Sequence, residues 1–96
     1  MIQVTDIQTD KAERLIKALC NHFARKITAK YEGDKGYIEF GDGKCEITST
    51  PETLTLQVEA GNAESLARVE QVVIDHLLRF TPEETFQIDW RDFSRE

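Results

Sequence analysis

Apolar residues recur at helical spacing in two stretches of the chain and at every second position through most of the rest. Ala12, Leu15, Ile16, Leu19, Cys20 and Phe23 form one stripe, which predicts a helix running through about Lys26. Asp10, with Glu13 three residues later, reads as a capping box: the Asp carboxylate accepts an orphan N–H and Glu13 reaches back to the cap. A second stripe, Leu66, Val69, Val73, Leu77 and Phe80, predicts a second helix. Asn62 is placed as its cap, and Glu64 lies against the positive end of its dipole. Thr81-Pro82-Glu83-Glu84 ends it, because proline cannot continue a helix.

The remaining segments alternate with period two. Residues 1–8 do so weakly, through Ile2, Val4 and Ile7, and predict a first strand. Ile27, Ala29 and Tyr31 alternate with Thr28, Lys30 and Glu32, and Gly33-Asp34-Lys35-Gly36 supplies a turn. Ile38 and Phe40, then Cys45 and Ile47, flank Gly41-Asp42-Gly43, which holds the Asp-Gly pair favoured in hairpins. Leu54, Leu56, Val58 and Ala60 alternate cleanly with polar residues. Phe86, Ile88 and Trp90 predict a last short strand, and residues 91–96 a frayed tail.

The order β-α-β-β-β-β-α-β, with one apolar stripe per helix and one apolar face per strand, predicts a single α+β domain over residues 1–96. The economical arrangement is a two-layer sandwich, an antiparallel sheet of four to six strands with both helices on one face. The other face is left open and is expected to carry Lys30, Glu32, Glu39, Glu46, Thr55, Gln57, Glu59, Gln87 and Asp89, with acids in excess. An open sheet also allows a monomer or a weak homodimer through the sheet.

Composition narrows the function classes. The 96 residues carry 18 Asp+Glu against 12 Lys+Arg, a net charge of -6, with 40% hydrophobic residues. The length excludes a (β/α)₈ barrel and a full dinucleotide-binding fold. The acidic balance argues against extended nucleic acid, which needs a cationic footprint. Lys11, Arg14, Lys17, Arg25 and Lys26 nevertheless make the first helix basic, so a small anionic ligand beside it stays open. The apolar runs fall far short of the ~20 residues of a membrane span. Met1 to Asp6 has no basic region followed by an apolar run, so the expected location is the cytoplasm. Two cysteines, Cys20 and Cys45, both on apolar faces, read as buried free thiols.

Chemistry-bearing residues are few. His22 and His76 each lie about 60° from the centre of their helix's stripe, at ~100° per residue, near the line where helices meet. Two imidazoles there suit a metal, an anion or proton transfer, or simply hydrogen bonds to backbone carbonyls. Arg79 and Lys26 are the cations placed to join them around a small anion. Glu83, Glu84, Asp89 and Asp92, with Glu32, Glu39 and Glu46, offer oxygen ligands for a weak frataxin-like iron or calcium site, without the spacing of a dedicated one. No nucleophile motif or catalytic constellation appears, no cofactor is expected, and Gly41-Asp42-Gly43 joins two strands rather than opening a helix as a phosphate loop does.

The run from Ala12 to Lys26, with Leu19-Cys20-Asn21-His22-Phe23-Ala24-Arg25-Lys26 at its centre, resembles a segment of the bacterial domain-of-unknown-function family 2218. The resemblance continues through Gly36-Tyr37-Ile38-Glu39-Phe40, Gly43-Lys44-Cys45, His76-Leu77-Leu78-Arg79-Phe80 and Trp90, and so covers nearly the whole chain. It implies a TATA-box-binding-protein-like sandwich, similar to the small C-terminal domain of phosphohexomutases. It implies no activity; related domains are fused to or encoded near siderophore-interacting, flavin-dependent ferric reductases. Many members carry a second histidine where this chain has Arg25, which weighs against a metal site there. The expectation is therefore a non-catalytic binding or accessory protein linked to iron-siderophore use, with a protein partner or a small anion. The alternatives are a small enzyme or anion site at His22, His76 and Arg79, and a frataxin-like metal binder.

Overall fold

A computed structural model describes residues 1–82 and 86–93. Its elements are β1 (Ile2–Gln8), α1 (Ala12–Phe23), β2 (Ala29–Glu32), β3 (Lys35–Phe40), β4 (Gly43–Ser49), β5 (Thr53–Ala60), α2 (Ala63–Phe80) and β6 (Arg91–Asp92). The strands form one antiparallel sheet in the order β2-β3-β4-β5-β1-β6. Both helices cover one face, as the single stripes require. Residues directly opposite across a ladder share a face, so Ile38, Cys45 and Val58 form one inward row, and Gly36, Ile47, Leu56 and Thr5 another. Ile16, Leu19 and Cys20 of α1 and Val73 and Leu77 of α2 close over these rows and are fully buried. No helix among the described residues is long and apolar enough to cross a membrane.

Gly36 sets how closely α1 approaches the sheet. The sequence places it in a turn; the structure places it inside β3, buried under α1. A Cβ there would stand 2.9 Å from Cys20 Sγ and 3.0 Å from Ile16 Cγ2. The turn itself needs only Gly33 and Asp34, with Gly33 at φ 60. A glycine with positive φ at the first central position of a two-residue loop suits the twist of the flanking strands.

Several expectations need correction. Asp10 does not cap α1: the Thr9 hydroxyl accepts the Lys11 N–H at 3.1 Å, and the helix begins at Ala12. α1 stops at Phe23 rather than near Lys26, since a tightening turn sends the Lys26 and Ile27 N–H groups to the Phe23 carbonyl. Asn62 caps α2 as expected, its side chain accepting from the Ser65 N–H at 2.8 Å. Phe80 ends that helix largely outside the core, 39% exposed. Ile2 and Val4 point to the open face, opposite Glu59 and Gln57, and the inward positions of β1 are Gln3, Thr5 and Ile7.

Phe86, Ile88 and Trp90 form no strand; they are half-buried against the core as the chain passes from α2 to the edge of β1. Their alternation reflects burial, not pairing. The pairing comes next, in the stretch expected to fray: Arg91 and Asp92 lie opposite Val4 and Gln3, and the Phe93 N–H donates to the Ile2 carbonyl at 3.0 Å. Arg91 also donates to Asp6 at 2.7 Å, and Asp6 accepts the Thr55 hydroxyl at 2.7 Å. These contacts, Thr55 foremost, hold the Asp6 carboxyl below its ordinary pKa.

On the open face acids outnumber bases only narrowly. Gln87 and Asp89 lie outside the sheet, and Lys35, Lys44 and Arg91 share the face with Glu32, Glu39, Glu46 and Glu59. Lys44 lies between Glu39 and Glu59, and Lys35 lies opposite Glu32. Glu83 and Glu84 fall outside the described residues.

Gly36→Ala is expected to destabilise the fold by about 1–3 kcal/mol, the range for overpacking a filled core. Adding Cys20→Ala should recover part of that loss, because it removes the sulfur the new methyl meets. Urea unfolding of the two variants and the parent measures both effects; unchanged stability of Gly36→Ala would show that α1 does not depend on this approach.

Candidate functional site

α1 and α2 come together at their C-terminal ends. His22 occupies the last turn of α1 and His76 the turn before the end of α2, and their ring centroids are 4.8 Å apart. Phe23 lies behind them, 4.7 Å from the His76 ring and 5.3 Å from Phe40, which closes the inner end of the β3–β4 hairpin. Phe80 meets His22 edge-on at 5.9 Å, using the side that the core leaves uncovered. The cluster bounds a cavity of about 460 Å³ lined by His22, Phe23, Arg25, Lys26, Ile27, Phe40, Val72 and His76.

Local structure fixes each group. Nδ1 of His76 lies 2.7 Å from the Val72 carbonyl oxygen one turn earlier. A carbonyl can only accept, so Nδ1 carries the proton and, in the neutral ring, Nε2 presents a lone pair. The turn after α1 wraps Arg25, Lys26 and Ile27 around the mouth of the cavity. Cations are favoured at the C-terminus of a helix, where the dipole is negative. That preference allows Arg25, Lys26 and Arg79 to gather at one end of the helix layer.

The field there is positive. Burial first, and then the charges of His76, Arg25, Arg79 and Lys26, push the His22 pKa below its ordinary 6.5. Every charged neighbour named as acting on this imidazole is a cation, and none of the described lining residues is acidic. The site therefore combines an aromatic floor, two imidazoles and a basic rim.

Of the residues singled out in the sequence, His22, His76 and Lys26 line this one cavity. Arg79 does not line it, but its charge bears on His22. Phe40 and Arg25 were not read as site residues. Phe40 sits at an alternating strand position indistinguishable from core, and in the sequence Arg25 is one of the basic residues of the first helix and a departure from a family pattern rather than a named site residue. Cys20 and Cys45 take no part: both are buried and unbridged, Cys20 donates to the Lys30 carbonyl at 3.4 Å, and burial pushes both thiols up toward the protonated form. Among the described residues no three His, Cys, Asp or Glu side chains converge as a metal site. Asp89 and Asp92 instead accept from Gln87 and Gln3.

Comparison with known proteins agrees with the fold. The model of a family described as uncharacterized protein conserved in bacteria (DUF2218) matches residues 4–91. A solved structure, the NMR structure of PA4090 from Pseudomonas aeruginosa, is similar with a TM-score of 0.79 and 32% identity, covering 95% of this chain and 96% of that one. No match appears among curated proteins.

The lowered His22 pKa fixes the sign of a pH effect. Between the ordinary value of 6.5 and the lower folded value, the unfolded chain binds the extra proton and the folded one does not. His22 thus contributes no penalty above that window and destabilises the fold as pH falls through it. Thermal melts from about pH 7 to about pH 5 should show a steeper loss for the parent than for His22→Asn. Parallel curves would mean that His22 is not held in a positive field.

Proposed function

The chain belongs to the DUF2218 family, and we propose that it works as a binding domain, without catalysis of its own, that holds a small anion with a flat apolar body in the cavity beside His22 and His76. The observation that carries this reading is the union of the imidazole pair, 4.8 Å apart, with a rim whose charges on His22 are all positive. An anion entering there relieves cation–cation repulsion that the fold otherwise sustains. The floor supplied by Phe23 and Phe40 suits a ring or other flat surface, since aromatic edges and faces pack against one another with about 0.5–1.5 kcal/mol beyond simple burial. A cavity of about 460 Å³ falls within the range of small-molecule sites.

The same field disfavours a resident dication, which would add charge to a site already positive. A catalytic role has less support: the Val72 carbonyl orients His76, but among the described residues lining the cavity there is no Ser, Cys, Asp or Glu to act as nucleophile or as a carboxylate partner. The link to iron-siderophore use comes from the family resemblance. An anionic ferric catecholate belongs to the ligand class that this pocket suits.

Titration of isotopically labelled protein with salicylate, with a ferric catecholate and with inorganic phosphate tests the reading. Aromatic anions are expected to shift the signals of His22, Phe23, Phe40 and His76 and to raise the His22 pKa, with affinity increasing as pH falls below about 6.5. Lys26→Glu and Arg25→Glu should each weaken binding about tenfold, equivalent to about 1.4 kcal/mol. Lys17→Glu, on an exposed stretch of α1 away from the cavity, should leave it unchanged. Absence of saturable shifts with every anion would sink the proposal.

A further inference from the structure

β2 is the exposed edge of the sheet, and its chemistry is self-complementary. We propose that it pairs antiparallel with β2 of a second copy about a two-fold axis at Tyr31, joining two sheets into one of twelve strands. The backbone comes first. Thr28 accepts from the Glu39 N–H at 2.9 Å, so the hydrogen-bonded positions of the β2–β3 ladder are Thr28, Lys30 and Glu32. The groups of Ala29 and Tyr31 consequently face outward, and no further strand lies beyond β2 among the described residues. A two-fold axis at Tyr31 lets its N–H and C=O exchange two hydrogen bonds with those of the second Tyr31.

Side chains then choose the register. Directly opposed residues must share a face, so the axis falls on a residue and not between two. An axis at Lys30 opposes two lysines, and one at Glu32 opposes two glutamates. An axis at Tyr31 sets Lys30 opposite Glu32 of the second copy, twice. It also continues the charge order on the open face, from Lys35 to its partner Glu32 and on to Lys30 of the second copy.

The other face has room for the contact. Tyr31 is 40% exposed and borders a groove of about 550 Å³ that also includes Asn21, Ala29 and Gly36. α1 lies over β2 and β3, with Cys20 against Gly36 and the Lys30 carbonyl, so two to three strand spacings of about 4.8 Å would separate the two copies of α1, about 10–14 Å in all. Packed helices need only 8–10 Å between axes. The opposite edge, β6, is only two residues long and offers no comparable ladder. With four residues on each side the association is weak, below the size class of stable interfaces.

The test is sedimentation velocity together with NMR on mixed-label samples up to about 1 mM. The expected result is a concentration-dependent dimer with intermolecular contacts across Tyr31. Lys30→Glu and Glu32→Lys should each weaken it about tenfold or more by opposing like charges, and the double exchange should restore it. These exposed substitutions leave the core intact, so folding can be checked from unchanged spectra away from β2. A monomer at the highest concentration, indifference to the single exchanges, or failure of the double exchange to restore pairing would each overturn the proposal.

Discussion

The seat of α1 on Gly36 is the constraint from which the rest of the arrangement follows. Because that position lacks a side chain, Cys20 and Ile16 settle against the strand backbone, and α1 lies low over β2 and β3. The helix then has one orientation that buries Leu15, Leu19 and Phe23 together. In that orientation the last turn of α1 meets α2, and His22 is delivered to His76. A glycine on the strand next to the sheet's edge thus governs the geometry of a cluster at the far end of α1.

The cluster itself reflects two competing demands. Helix ends favour cations, and a partly desolvated imidazole ringed by cations favours neutrality. Arg25, Lys26 and Arg79 satisfy the first, and the lowered His22 pKa is how the second is met. On the opposite side of the sheet the charges are arranged differently. There bases stand opposite acids across several ladders, as in Lys44 between Glu39 and Glu59 and Lys35 opposite Glu32. The net charge of -6 therefore says little about either surface.

The sequence disclosed most of the fold because burial and pairing coincide over most of its length. Leu54 to Ala60 alternates and pairs, and the two helical stripes bury the residues they contain. Legibility failed where the two part company. Phe86, Ile88 and Trp90 alternate but do not pair, whereas Arg91 and Asp92 pair without any apolar signal. In β1, Ile2 and Val4 obey the period on the wrong face, because inward Thr5 is polar and hides the true phase. The site was half legible: helical angles bring His22 and His76 to the seam between the helices, but only packing reveals Phe40 beneath them and Arg25 at the rim.

The position of β1 has a consequence for how the chain acquires this fold. Strands β2 to β5 pair with neighbours in sequence across short turns, so the meander can assemble as it is synthesised. β1, made first, sits between β5 and β6, and Ile2 finds its partner only at Glu59. Until β5 has emerged from the ribosome, the nascent N-terminal strand has no ladder to join and the stripe of α1 has only part of its sheet. Closing so long a loop carries an entropic cost that local hairpins avoid. The strand of this sheet that is made first is thus among the last to be locked.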